Sequence, residues 1–147
     1  MERQELLDAV AACGLDCMDC PIHERNITDE LAGRLSSAYG CVPEKTACGG
    51  CRSDARSVLC PAECATLDCS RERGVDFCFE CDGFPCDKLH PAADMADKLP
   101  HNLKVYNSCR MREKGVERWL KEESRLSAAK YYQGKMIVGK GPVMEEK

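Results

Sequence analysis

Thirteen cysteines in 147 residues, twelve of them between Cys13 and Cys86, constrain this chain more than any other feature. Three C-x2-C pairs recur, Cys17/Cys20, Cys48/Cys51 and Cys78/Cys81, and Cys13, Cys60, Cys64, Cys69 and Cys86 stand around them. A two-residue spacer lets both sulfurs reach one tetrahedral ion at about 2.3 Å through a tight turn. In "CGGC" Gly49 and Gly50 allow that turn without steric cost. Cys60 and Cys64, four apart at the start of an expected helix, belong on one helical face. These eleven cysteines are therefore the candidate metal ligands. Which of them share an ion is not readable from spacing.

The rest of the composition calls for such staples. The hydrophobic share of 44% counts the cysteines; without them it falls to about 35%, low for an ordinary core. Aromatic residues make up only 5% of the chain. Ordering the backbone costs about 1–2 kcal/mol per residue, so covalent or coordinate bonds must close the loops. The start, "MERQELLDAV", is charged and amphipathic and lacks the apolar run of a secretory signal. No stretch approaches the ~18–20 apolar residues of a membrane span. A cytoplasmic protein is expected, in which thiols stay reduced, and an odd cysteine total also argues against a full disulfide framework.

Two or three zinc ions are the expected cofactor. Three four-ligand sites would need more than eleven ligands, with Cys41, His23 or His90 completing the set; two sites would leave cysteines spare. Cys109, far from the others, is expected to be a small buried residue. His23 is expected at the surface or as a cap, and His90 and His101 in solvent. The formal charge is −4, and each zinc held by four thiolates adds a further −2. That balance argues against nucleic acid, whose binding rests on neutralising phosphates. The mixed stretch "RMREKGVERWLK" reads as a solvated helix face.

The expected architecture is a small, mainly-α, metal-stapled single domain over 1–147. An irregular cysteine-knuckle module with short helices spans 13–86, a helical segment 87–130 and an extended tail 131–147. "TDELAGRLSSAYG" predicts a helix with Thr28 as N-cap and Gly40 as stop. "CPAECATLDCSRERG" predicts a second, with Pro61 in its first turn and Gly74 ending it. A third is expected from "FPCDKLHPAADMADKL", open to a break at Pro91. One or two more cover "PHNLKVYNSCRMREKGVERWLKEESRLSAAKYY", jointed at Lys114-Gly115, with Leu103, Tyr106, Val116, Trp119 and Leu120 as the apolar face. Trp119 is expected to anchor this part against the module. The tail is expected to form a short strand or arm.

The ordered motifs "ACGLDCMDCP", "CGGCRSD", "CATLDCSRERGVDFCFECDGFPCDKL", "PHNLKVYN" and "GKMIVGKGP" resemble a cysteine-rich bacterial and archaeal family, Domain of Unknown Function 3795. The resemblance covers nearly the whole chain. It implies zinc binding through Cys13, Cys17, Cys20, Cys48, Cys51, Cys64, Cys69, Cys78, Cys81 and Cys86, and no established activity. Cys60 is one residue further from Cys64 than in the family's usual pair, and Cys41 and Cys109 are particular to this chain.

Enzyme classes fit poorly. C-x3-C-x2-C at Cys13, Cys17 and Cys20 has the spacing of a radical S-adenosylmethionine cluster, but such barrels run to ~200 residues or more, and Asp19 stands where that class carries an aromatic. "GKMIVGKG" has Gly141 in place of the hydroxyl residue of a phosphate loop and no helix to follow. A thioredoxin-like use of C-x2-C lacks its βαβ setting. Catalytic zinc needs an open position and a base, and nothing marks Glu63 or Glu80 as one. The sequence therefore favours a binding or adaptor role, with an unknown protein partner, over catalysis. An iron–sulfur cluster protein acting as electron carrier or redox sensor is the alternative, although the ferredoxin run C-x2-C-x2-C-x3-C is absent.

Overall fold

The computed structural model describes residues 1–60, 63–89, 102–137, 139 and 141–144. These residues are mainly helical. Six α-helices follow in order: α1 (Arg3–Ala9), α2 (Asp29–Tyr39), α3 (Ala65–Glu72), α4 (Asn102–Lys114), α5 (Val116–Glu122) and α6 (Ser124–Gln133). Short 3-10 turns occupy Pro43–Thr46, Cys78–Glu80 and Asp87–Leu89. A two-stranded antiparallel hairpin, β1 (Lys135–Ile137) and β2 (Gly141–Val143), follows α6, with Lys135 opposite Val143.

Local signals explain where several elements begin and end. The Thr28 hydroxyl accepts the Leu31 N–H at 3.2 Å, and Gly40 closes α2 in the left-handed region, both as expected. The helix expected over 60–74 is shorter. It starts at Ala65 with Cys64 as N-cap, so Cys60 and Cys64 do not share a helical face. Pro61 lies outside the described residues, as does most of the third expected helix, of which residues 84–89 are described and only Asp87–Leu89 form a helical turn. The C-terminal part divides into three helices rather than one or two. Gly115 makes the expected joint, and Glu123 makes a second.

The apolar core is small and joins the two ends of the chain. Ala9 and Val10 from the end of α1, Phe77, Met111 of α4 and Trp119 of α5 form one buried cluster, with Leu7, Met18, Phe79, Val116 and Leu120 packed against it. Trp119 is fully buried, in the anchoring role expected of it. On α4 the buried positions are Leu103, Asn107, Ser108 and Met111, which lie along one helical face. Cys109 falls on the opposite side and is exposed, which corrects the expectation of a buried residue. Tyr106 is likewise turned outward, 57% exposed, and drops out of the apolar face.

Two polar contacts tie this core to the first cysteine loop. Asn107, buried in α4, donates to the Gly14 carbonyl at 3.0 Å and accepts from the Ser127 hydroxyl of α6 at 2.7 Å. Gly14 has φ +92°, and a Cβ there would stand 2.6 Å from Ser108 Oγ and 2.8 Å from the Lys104 carbonyl. The helix and the loop approach each other more closely than any side chain at this position allows.

Candidate metal centres

The first cysteine segment is built by a chain reversal after α1. The Cys17 N–H donates to the Ala9 carbonyl at 2.8 Å, Ala11 to Leu15 at 2.9 Å, and Val10 pairs with Asp16. Cys17 therefore lies beside the end of α1, and a turn closed from the Cys20 N–H to the Cys17 carbonyl, 3.3 Å, follows it. The next residues run alongside the second cysteine pair. Cys48 donates to the Ile22 carbonyl and accepts from the Glu24 N–H, each at 2.9 Å, which bridges His23 to Cys48. Gly50, at φ +103°, then turns the chain so that Cys51 follows. Cys60 is carried in by the Ser57 loop, whose hydroxyl donates to the Thr46 carbonyl at 2.7 Å.

Three separated segments thus bring Cys17, Cys20, Cys48, Cys51 and Cys60 to the wall of one cavity of about 200 Å³. His23, Asp16 and Tyr132 also line it. The Cys17 and Cys51 sulfurs are 3.9 Å apart. Cys48 and Cys60 form a second sulfur–sulfur hydrogen bond, which holds the Cys48 thiol down to about 5 and, with burial, pushes the Cys60 thiol up. Contact with Cys17 and burial push the Cys51 thiol up. The Tyr132 hydroxyl of α6 donates to the Cys20 sulfur at 3.2 Å, and burial raises both groups. Asp16 is 3% exposed; one carboxylate oxygen accepts the Asp19 N–H at 3.1 Å, while its Oδ2 is buried without a partner. Burial pushes that carboxyl upward too.

A second cavity of about 100 Å³ is lined by Cys69, Cys78, Cys81 and Cys86. Cys69 comes from α3, Cys78 opens the turn Cys78–Glu80, and Cys81 ends it. The Cys78 N–H donates to the Ala12 carbonyl at 2.9 Å, so the turn sits against the loop that follows α1. The Gly83 N–H reaches the Cys81 sulfur at 3.4 Å. The Arg73 guanidinium, just past α3, is hydrogen-bonded to the Cys69 and Cys81 sulfurs. Burial, helped by the neighbouring sulfurs, pushes the Cys78 thiol up to about 12. Glu80 is occupied structurally: its carboxylate accepts the Asp76 and Phe77 N–H groups at 2.9 and 3.0 Å.

The remaining candidates fall outside these two walls. Cys13 lies within electrostatic reach of Cys51 and Cys64, and Cys78 within reach of Cys13; burial pushes the Cys13 thiol up. Cys64 caps α3. Cys41, donating to Ser36 past the end of α2, lines neither cavity. His23 is buried at 5% exposure rather than at the surface, because its segment pairs with Cys48; its Nδ1 still accepts the Arg25 N–H at 3.3 Å, as a cap would. His90 and His101 lie outside the described residues. Among the described residues no three His, Cys, Asp or Glu side chains converge closely enough, as they stand, to hold a metal ion. The sulfurs meet in pairs.

Several residues that shape these walls carry no cysteine-like signal in sequence. Arg52, next after Cys51, donates to the Leu7 carbonyl at 2.7 Å and to the Val10 and Asp76 carbonyls, and its guanidinium lies 5.4 Å over the Phe77 ring. It thereby satisfies the C-terminal carbonyls of α1 and pins the Cys48–Cys51 turn to the core. Its place directly after "CGGC" was the available hint. Tyr132 and Asp16 had none, since their roles depend on segments far apart in the chain.

No curated protein and no solved structure matches the chain. The profile of a family described as "Protein of unknown function (DUF3795)" matches residues 9–91, more than half of the chain, and includes every cysteine of both cavities. The chain belongs to the DUF3795 family.

Proposed function

We propose that this protein binds zinc through cysteine thiolates at two stations, one at each cysteine-lined cavity, and that the ions hold residues 13–86 in shape for a binding or adaptor role. The observation that carries the proposal is the convergence of five sulfurs from three segments on one cavity, with Cys17 and Cys51 at 3.9 Å. Two sulfurs on one tetrahedral zinc at about 2.3 Å stand roughly 3.8 Å apart. A disulfide would bring them to about 2.05 Å. An all-sulfur donor set favours zinc, cuprous copper or iron–sulfur chemistry over hard cations. Cys17, Cys20, Cys48, Cys51 and Cys60 would supply the first station, and Cys69, Cys78, Cys81 and Cys86 the second. Cys13 and Cys64 are available to either. Closing a site from contacting pairs requires further sulfurs to turn inward, which couples binding to ordering of the loops. Arg73, against two sulfurs of the second station, offsets negative charge that four thiolates would accumulate there.

Anaerobically purified protein is expected to contain zinc, and a strong chelator is expected to abolish its cooperative thermal melt and reduce its circular dichroism. Unchanged spectra and melt after complete chelation would refute the structural role. Iron and acid-labile sulfide near stoichiometric amounts, with little zinc, would replace zinc by the iron–sulfur alternative. A second copy of the experiment on aerobic protein reads the same thiols after zinc has had the chance to displace iron.

A further inference from the structure

The first cavity brings its sulfurs together in twos, and the pairs cross between segments. The Cys17 and Cys51 sulfurs, 34 positions apart in the chain, are 3.9 Å from each other. Cys48 is hydrogen-bonded, sulfur to sulfur, with Cys60. Neither contact is one of the C-x2-C pairs, whose members have other engagements. The sulfur of Cys20, the near neighbour of Cys17, takes the Tyr132 hydroxyl at 3.2 Å. Between Cys48 and Cys51 the chain turns at Gly50, φ +103°, and the two sulfurs meet different partners. Each contacting pair joins a buried cysteine, Cys17 or Cys48, to a half-buried one, Cys51 or Cys60, so solvent has access to both pairs.

We propose that the first cavity is a site of reversible oxidation, at which a hydroperoxide joins Cys17 to Cys51 and Cys48 to Cys60 as disulfides. The step concerns the thiols alone, involves no ion, and goes beyond the zinc reading. Sulfurs at 3.9 Å need to approach by about 2 Å to reach the ~2.05 Å of a disulfide bond. In each pair one thiol takes an oxygen from hydrogen peroxide and becomes a sulfenic acid, releasing water. The second sulfur then displaces that oxygen, which leaves with the second thiol's proton as another water. Two thiols and one peroxide thus give one disulfide and two waters. A cellular dithiol reverses the link by exchange and is itself left oxidised. The two links tie the loop after α1, the Cys48–Cys51 turn and the Ser57 loop together, and Cys20 keeps a free thiol.

The test uses full-length protein, purified anaerobically in the reduced state and treated with about two equivalents of hydrogen peroxide, one for each link. Thiol titration is expected to show a loss of about four thiols per chain, all restored by dithiothreitol. Tandem mass spectrometry of peptides kept non-reduced is expected to find Cys17 linked to Cys51 and Cys48 linked to Cys60. Cys51→Ser is expected to halve the thiol loss and leave Cys17 free. Links within Cys17/Cys20 or Cys48/Cys51, links confined to the second cavity, oxygen added without links, or an unchanged thiol count would each overturn the proposal. A Cys17–Cys20 link in Cys51→Ser would overturn the selection of partners by folded contact. Zinc content, measured on the starting protein, decides the zinc reading separately.

Discussion

Single residues fix how closely the cysteine loops meet the helices. Gly14 is the sharpest case, since its φ of +92° and the 2.8 Å from a Cβ to the Lys104 carbonyl penalise any side chain twice. Gly14→Ala is expected to lower unfolding free energy by about 2–4 kcal/mol, from overpacking plus backbone strain, as read from denaturant melts. A loss below about 0.5 kcal/mol, the usual scale of surface changes, would mean that the loop and α4 separate without cost. Arg52 acts at the same scale by a different means, since one guanidinium answers three backbone carbonyls. Its position after a C-x2-C pair was visible in sequence, but its acceptors were not, because Leu7, Val10 and Asp76 are brought together only by folding. Cys109 shows the opposite failure: a general tendency of free cysteine to be buried gave way to the helical phase of α4, which turns Asn107 and Met111 inward instead.

At the scale of elements, local chemistry was the legible part. Thr28 and Gly40 bound α2 through a hydroxyl acceptor and a left-handed backbone, both of which residue type decides within a few positions. The division between α5 and α6 was not legible, because Glu123 ends one helix for a tertiary reason. Its carboxylate is a quarter exposed and pairs with Arg110 and Lys114, both reaching across from α4. Arg110 first and Lys114 second hold the Glu123 carboxyl down to about 2. Its folded value lies below its unfolded one, so its contribution is fully present above the ordinary carboxylate range and is lost as pH falls through about 2. Glu123→Gln is therefore expected to melt below wild type at neutral pH, with the difference shrinking steadily under acid titration. A difference that stays constant across the titration would show that the ion pairs do not join the helices. Comparing the two proteins at each pH cancels every acid effect that is common to both.

For the whole molecule, nine of the cysteines line two cavities that share a foundation. The Cys78 N–H rests on the Ala12 carbonyl and the Cys17 N–H on the Ala9 carbonyl, so both stations hang from the end of α1 and its following loop. Their sulfur walls remain separate. On the zinc proposal, Cys17→Ser and Cys69→Ser are each expected to lower zinc content by about one equivalent per chain, and together by about two, since sites without shared ligands lose metal additively. Loss of both equivalents from either single substitution would show one joint centre. The cysteine spacings and the shortage of large apolar residues by themselves determined that a mainly helical chain would be organised around clustered thiols, and capping residues determined where its best helices stop. Those are local properties, set by the reach of a two-residue turn and by hydrogen bonds within a few positions. Only the tertiary structure decided that Cys17 meets Cys51 and Cys48 meets Cys60, that His23 is buried, and that Tyr132 arrives at Cys20 from 112 positions away. Spacing along the chain marks which cysteines are candidate ligands, but the packing of Val10, Phe77, Met111 and Trp119 sets which distant segments stand within reach of one another.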